Sequence, residues 1–180
     1  MTALLVTLTG SSLTIDDVVR VARNPGLVAL DPAAVAALAT SRGLVERAIA
    51  RGETIYGINT GFGPLANVRV AADQLDQLQI NLIRSHAAGV GSPLSAEVVR
   101  AVMLLRANVL LRPTSGVRPA LVEALVQLLN AGLIPLVPEQ GSVGASGDLA
   151  PLSHIAMVLI GEGLVLAGGR TRPAAEALSL

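Results

Sequence analysis

Ala145, Ser146 and Gly147 lie side by side inside the segment GSVGASGDLAPLSH (141–154), just ahead of an apolar run. That segment holds three glycines, three serines and two alanines around a single acid and a single proline. Asp148 is a good helix N-cap, and Pro151 falls in the turn that follows, where a missing backbone N–H leaves no partner unsatisfied. The triplet therefore precedes a predicted helix N-terminus, whose open N–H groups and positive dipole stabilise negative charge. The same spacing also fits a plain tight connection, because glycine and serine clusters mark turns generally. Spacing alone leaves both readings standing.

Three other side chains carry usable chemistry. Tyr56 and Phe62 are the only aromatic residues, both in IYGINTGFGPLAN (55–67), a stretch with no helical or strand period. A tyrosine beside such a loop ordinarily packs its ring and bonds its hydroxyl to backbone. Gly57, Gly61 and Gly63 give the loop the freedom of a lid. It is no phosphate loop, since the Gly-Lys-Ser/Thr ending is absent. His86 falls in the last turn of a predicted helix, where an imidazolium pairs with open carbonyls. His154 lies within the apolar helix after the triplet and reads as a buried, hydrogen-bonded core histidine. Neither histidine has metal-ligand spacing, so no metal is expected.

The elements that must position these groups are mostly helices. Ala3 to Leu8 suggest one short strand, and Thr14 caps a helix carrying Val18, Val19 and Ala22. Asp31 followed by Pro32 starts another, running to a stop at Gly52. A third begins near Ala71, places Leu75, Leu78, Leu82 and Ile83 on one face, and ends at RSHAAGVG. Ser95 caps a fourth, which runs to Leu111. Ser115 to Asn130 forms a fifth, closed by Gly132, and Asp148 opens the last, ending near Gly161. Arg106 and Asn108 in LLRAN are expected to anchor helix contacts, a buried arginine needing partners. Asn59 and Asn81 receive no role. The fold class expected is mainly α, one helical domain over residues 1–180 with minor short strands.

Composition narrows the function. The 180 residues carry thirteen basic and thirteen acidic side chains, a formal charge of zero, with no run of like charge. Electrostatic capture of nucleic acid or of an anionic membrane is therefore not expected. The chain is 52% hydrophobic with a mean hydropathy of +0.63. Yet its most apolar long run, Ala124 to Pro138, is interrupted by Gln127, Asn130, Gly132 and prolines, too short for the roughly 20 apolar residues of a membrane span. The start, MTALLVTLTG, lacks the basic region of a signal peptide, and with no cysteine there is no disulfide framework, so a cytoplasmic location is expected. So apolar a chain also predicts uncovered helix faces, notably on 120–129 and 149–160, awaiting a second copy or a complementary chain.

GSVGASGDLAPLSH, YGINTGFG, NLIRSHAAGVG and LLRAN together resemble the histidine and aromatic amino acid ammonia-lyase family, from about Tyr56 onward. The resemblance implies that Ala145, Ser146 and Gly147 cyclise autocatalytically into 4-methylideneimidazole-5-one (MIO). The Gly147 nitrogen would attack the Ala145 carbonyl carbon and two waters would leave, giving a built-in electrophile. Gly147 lacks a Cβ to block that approach, and Ser146 supplies the hydroxyl that departs. The resemblance makes Tyr56 the base that takes the substrate's β-proton, on a loop closing over the site. A phenol ordinarily ionises near pH ~10, so a phenolic base working at neutral pH needs surroundings that favour the phenolate. His86 would face the substrate side chain, a polar choice suiting histidine or tyrosine better than phenylalanine. The implied reaction is ammonia elimination from L-histidine to trans-urocanate; a tyrosine ammonia-lyase or aminomutase with the same electrophile is the alternative. Members are homotetramers whose sites combine subunits and draw on later helices. The chain is thus expected to be the N-terminal part of a larger helical-bundle enzyme, inactive alone if nothing complements it.

Overall fold

The computed structural model describes residues 5–24, 27–63, 66–145, 147 and 149–178. Strand β1 (Leu5–Leu8) runs into helix α1 (Ile15–Arg23) and returns as β2 (Leu27–Leu30), which pairs with β1 in parallel. Thr14 caps α1 with a complete capping box: its hydroxyl accepts from the Asp17 N–H, and the Asp17 carboxylate accepts from the Thr14 N–H. The Thr14 hydroxyl, which also lies 2.7 Å from the Asp17 carboxylate and donates to it, and then the Thr14 N–H hold that carboxyl below its usual range. Asp31 caps α2 (Pro32–Ala50) by accepting from the Ala34 N–H at 2.9 Å. Both N-caps are where the sequence places them.

After residues 51–71 a short 3-10 turn, Ala72–Gln74, leads into α3 (Leu75–His86), then β3 (Val90–Pro93) and α4 (Ala96–Leu110). Next come α5 (Pro119–Ala131), β4 (Ile134–Pro135), β5 (Pro138–Gln140), α6 (Ala150–Leu159), β6 (Leu164–Ala167), β7 (Arg170–Pro173) and α7 (Ala174–Leu178). The strands form three small sheets: β1 with β2, β3 antiparallel to β5, and the antiparallel set β4-β6-β7. The mainly α class expected from the sequence is the one found.

The core sits on α4 and α5. Met103, Leu104, Ala107 and Leu111 meet Val122, Leu125 and Leu129, with Leu8, Val21, Leu38 and Val165 closing around them. Leu, Val and Ala fill this space without any aromatic ring, as helices packed closely through small branched side chains permit. Arg100 is also buried there, at 7% exposure. Its guanidinium donates to the carbonyls of Val21 (2.9 Å), Asn24 and Leu129 (both 3.4 Å), at the C-terminal ends of α1 and α5. The arginine thus adds a partner at helix ends, where backbone carbonyls run out of intrahelical donors, the Leu129 carbonyl also accepting the Gly132 N–H; burial lowers the Arg100 pKa with no carboxylate to offset the penalty.

Several expectations are corrected. The buried arginine is Arg100, whereas Arg106 is half-buried. Helix α5 starts at Pro119 rather than Ser115, because the residue before a proline is pushed out of helical space and Arg118 is extended. The uncovered apolar face is on neither expected segment: α5 buries Val122, Leu125, Val126, Leu128 and Leu129, and α6 buries Ala150, Ile155 and Val158, leaving Ile160 at its end exposed. That face lies on α4, where Val98, Leu105 and Val109 are 43%, 46% and 48% exposed. Most strands went unread because they are two to four residues long and include prolines and glycines, too short for a period of two to show. No helix among the described residues is long and apolar enough to cross a membrane.

Candidate active site

The loop after α2 is braced from within. Asn59, 3% exposed, accepts the Ile55 N–H on its Oδ1 at 2.8 Å and donates its Nδ2 to the Glu53 carbonyl at 2.6 Å. Its own carbonyl accepts from the Val70 N–H, the Gly61 N–H donates to the Val68 carbonyl, and Thr60 bridges Arg69. Tyr56 rides on this braced turn, 64% exposed, with its ring edge-on to Phe62 at 5.8 Å between centroids and 67° between planes. Gly57 and Gly63 hold φ of +77° and +55°, and nothing lies within 4 Å of where a Cβ would stand, so backbone conformation and not space demands glycine there. Gly61 is buried. Asn59, given no role from sequence, is thus the internal fixture of the Tyr56 turn.

His86 ends α3, half-buried, with Nδ1 2.9 Å from the Leu82 carbonyl and 3.0 Å from the Ser85 hydroxyl. A carbonyl only accepts, so Nδ1 donates and the Nε2 lone pair of the neutral ring is left for a ligand. The carbonyl captured is that of Leu82, one turn back inside the helix, and not one of the open carbonyls at its end that the sequence position implied.

The chain then turns through Ala87–Gly89 into β3, whose Val90 pairs with Gln140 of β5. Strand β5 leads directly into the segment holding the triplet. This ladder brings the His86 and triplet segments together although more than fifty residues separate them. The loop closes at its base, where the Ala150 N–H donates to the Ser142 carbonyl at 2.9 Å. Gly144 and Gly147 within it have φ of +66° and +72°, values that L side chains rarely adopt. Ala145 is exposed on this loop; Ser146 and Asp148 lie outside the described residues.

Helix α6 starts one residue later than the sequence implies, with Leu149 in the cap position and no side-chain cap. Pro151 does occupy the first turn. The expected row of open donors is mostly spent: Pro151 has none, Ala150 serves Ser142, and the Ser153 N–H donates to the Leu149 carbonyl. The helix offers its dipole more than its hydrogen bonds.

His154 is half-buried, not buried, and its Nε2 accepts from the Gly89 N–H at 3.1 Å. Burial depresses its pKa, which keeps the ring in the neutral, accepting form.

A cavity of about 660 Å³ joins these parts. Tyr56, Phe62 and His86 line it, with Leu149, Leu152 and Ser153 from the start of α6 and Arg106 from α4. Its other walls are apolar, chiefly leucines and isoleucines of α3, α5 and α6. A mostly apolar cavity of this size with a few converging polar groups suits a small organic ligand. Tyr56 and His86 therefore share one space, opening on the helix that follows the triplet; Ala145 and Gly147 are not among its walls. Arg106, read from sequence as a helix anchor, is the residue that reading missed. It has no acceptor among the described residues, so its guanidinium is free to take a carboxylate. Asn108 does anchor, its Oδ1 accepting from the Gly10 N–H at 3.1 Å. No cluster of potential metal ligands occurs among the described residues.

Residues 13–180 match the sequence pattern of the family described as aromatic amino acid lyase. The chain belongs to the aromatic amino acid lyase family. It is 55% identical over 177 residues to a histidine ammonia-lyase of Geobacillus thermodenitrificans, covering 97% of this chain and 35% of that relative. Among solved structures, tyrosine aminomutase from Streptomyces globisporus superimposes with a TM-score of 0.91 at 40% identity, covering 98% of this chain and 33% of that one. Histidine ammonia-lyase from Trypanosoma cruzi gives 0.89 at 38% identity, with 98% and 34% covered. This lyase-family chain thus spans about a third of the length of the relatives it matches. Relative to them it is the N-terminal part.

Proposed function

We propose that this chain contributes the electrophile-forming and substrate-facing first third of an ammonia-lyase that converts L-histidine to trans-urocanate. The observation that carries the reading is the shared cavity of Tyr56 and His86 at the start of α6, in a chain 55% identical to a histidine ammonia-lyase. The residues present fit an MIO group made from Ala145, Ser146 and Gly147. The loop is pinned at its base by Ala150 and Ser142, it already bends through left-handed glycines on both sides of Ala145, and it feeds a helix N-terminus. Such a group supplies an electrophile that draws electrons from the substrate and eases departure of ammonia.

The chain's own side chains do the rest. Tyr56, exposed on its braced turn, takes the proton from the substrate's β-carbon. The electrons of that C–H bond become the new C=C bond as the C–N bond at the α-carbon breaks. His86 offers Nε2 as an acceptor to the N–H of an imidazole substrate. The apolar walls exclude water from the reacting carbons. A tyrosine substrate, or an aminomutase outcome, is the second reading; it is favoured by the close superposition on tyrosine aminomutase, since a phenol hydroxyl also donates to Nε2. We further infer that the exposed α4 face is covered in the working enzyme, by another copy or by a complementary chain.

The test is mass spectrometry of the protein in its complete assembly, followed by product analysis. The peptide containing Ser146 should lack the mass of two waters, and Ser146→Ala should retain full mass and release no ammonia. An unmodified wild-type peptide overturns the proposal. Urocanate from histidine supports the first reading; a β-amino acid or coumarate from tyrosine supports the second.

A further inference from the structure

Helix α3, which ends in His86, is weakly held by its own packing. None of its side chains is fully buried; Leu75, Leu78, Leu82 and Ile83 are only half-covered. Its position relative to α6 must come from elsewhere. One tie is the ion pair between Arg84 and Glu162, whose guanidinium engages both carboxylate oxygens. That pair is half-exposed, and such pairs contribute little. The β3–β5 ladder, which starts at Val90, holds the following segment to β5; the tie to α6 itself is the 3.1 Å bond from the Gly89 N–H to His154 Nε2, only three residues past His86.

The surroundings of that bond are built to close tolerance. A Cβ on Gly89 would lie 3.0 Å from His154 Nε2 and 3.1 Å from Pro138 Cβ. A Cβ on Gly141 would lie 2.9 Å from Ala150 Cβ and 3.4 Å from Gly89 Cα. Two glycines thus let the segment after α3 lie against the strand entering the triplet loop and the first turns of α6. Ala87 continues the helix bonding through its N–H to the Ile83 carbonyl, and Gly89 is fixed at the other end by His154. The intervening residues have little freedom, so the Gly89 tie sets where the last turn of α3 points.

We propose that His154 is a positioning residue: by accepting the Gly89 N–H it latches the end of α3 to α6 and fixes His86 against the substrate side chain. This rests on the reading of His86 as the substrate-facing residue. A hydrophobic side chain would fill the space on α6 equally well, but it would not hold the N–H. Glutamine would, because its side-chain oxygen reaches about where Nε2 stands.

The experiment uses the complete, histidine-converting enzyme and three variants, His154→Leu, His154→Gln and Gly89→Ala. Each is measured for ring formation by mass, for kcat and KM with histidine, and for thermal midpoint. The expected result is that His154→Leu keeps the loss of two waters, raises KM about tenfold and changes kcat far less, the size expected for one lost hydrogen bond that orients a binding group. His154→Gln should recover most of that loss. Gly89→Ala, which keeps the acceptor but not the space, should behave like His154→Leu. A lowered midpoint with unchanged KM in His154→Leu overturns the latch, as does His154→Gln performing no better than His154→Leu. If His154→Leu fails to fold, Gly89→Ala with wild-type KM overturns it equally. Failure of the underlying reading shows differently, as wild-type protein that neither loses two waters nor consumes histidine.

Discussion

Gly141→Ala tests whether contact at the junction of three elements sets the geometry of the triplet loop. The added Cβ would stand 2.9 Å from Ala150 Cβ and 3.4 Å from Gly89 Cα. Ordinary carbon contacts lie at about 3.5–4.0 Å, so a displacement of roughly 0.6–1 Å is required. Neither neighbour has a rotamer to turn, since one is a methyl group and the other backbone. Gly141 is absent from the positive-φ residues, so alanine meets no backbone strain and even gains about 0.4–1 kcal/mol by restricting the unfolded chain. Overpacking costs about 1–3 kcal/mol, so it wins, and a net destabilisation of about 1–2 kcal/mol is expected. Function should suffer more than stability. The relaxation must move the start of α6, and with it the Ala150 to Ser142 bond that closes the loop; a 1 Å misplacement at a reacting centre can lower the rate about 100-fold. Urea denaturation gives the first quantity, and turnover with the mass of the Ser146 peptide gives the second. Wild-type turnover together with a stability change under about 0.5 kcal/mol, the scatter of ordinary surface substitutions, would refute the reasoning.

Tyr56→Phe should leave the loss of two waters and the fold intact, since the ring is exposed and keeps its edge contact with Phe62, yet slow turnover by on the order of 10²–10⁴ as for a lost acid or base; near-normal rates would assign Tyr56 to packing. Acid should loosen the α3–α6 contact. His154 has its pKa lowered by burial, so its contribution is complete above the ordinary histidine value near 6.5 and is lost as pH falls through the lower folded value. The other charges across that contact, Arg84 and Glu162, are paired with each other, and Glu162 is held below its usual range by Arg84. The urea midpoint should therefore be lower at about pH 5.5 than at about pH 7.5, and His154→Gln should reduce that difference; an identical difference in the variant would remove His154 from the acid response.

Helix starts were legible in the sequence where a side chain performs the capping, as Thr14, Asp31 and Ser95 do. They were misplaced where proline or a loop decides, as at Pro119 and Leu149. The candidate site was legible as residue types, because a triplet of small residues in a glycine-rich loop, a lone tyrosine and a helix-end histidine are local features. Their convergence was not. It depends on a ladder of β3 with β5, two strands of three or four residues that carry no hydrophobic period. Arg106 was misread for a related reason, since a guanidinium in an apolar helix looks alike whether it anchors a neighbour or lines a cavity. Asn59 was passed over because its partners, Glu53 and Val70, are set only by the closure of the loop.

Stability and chemistry are divided between different parts of this chain. Helices α4 and α5 hold the largest share of the fully buried leucines and valines, with Leu8, Val21, Leu38 and Val165 packed around them, and each contributes about 1.5–3 kcal/mol by burial, so the fold is decided there. The groups assigned to chemistry sit on the 55–63 turn, on α3 and on the 141–147 loop, which bury almost no large apolar side chain among the described residues. They are held instead by single hydrogen bonds, from Asn59, Ser142 and His154, and by glycines that allow close approach. Such ties are worth about 1 kcal/mol each, too little to specify a fold but enough to shift a binding constant severalfold. Segments held this way open locally at a lower free energy than the core. A closing loop over a substrate needs that property, and a core leucine does not supply it. Truncating Leu104 or Leu125 should thus remove the protein, whereas changing His154 or Asn59 should leave it standing with its site out of register.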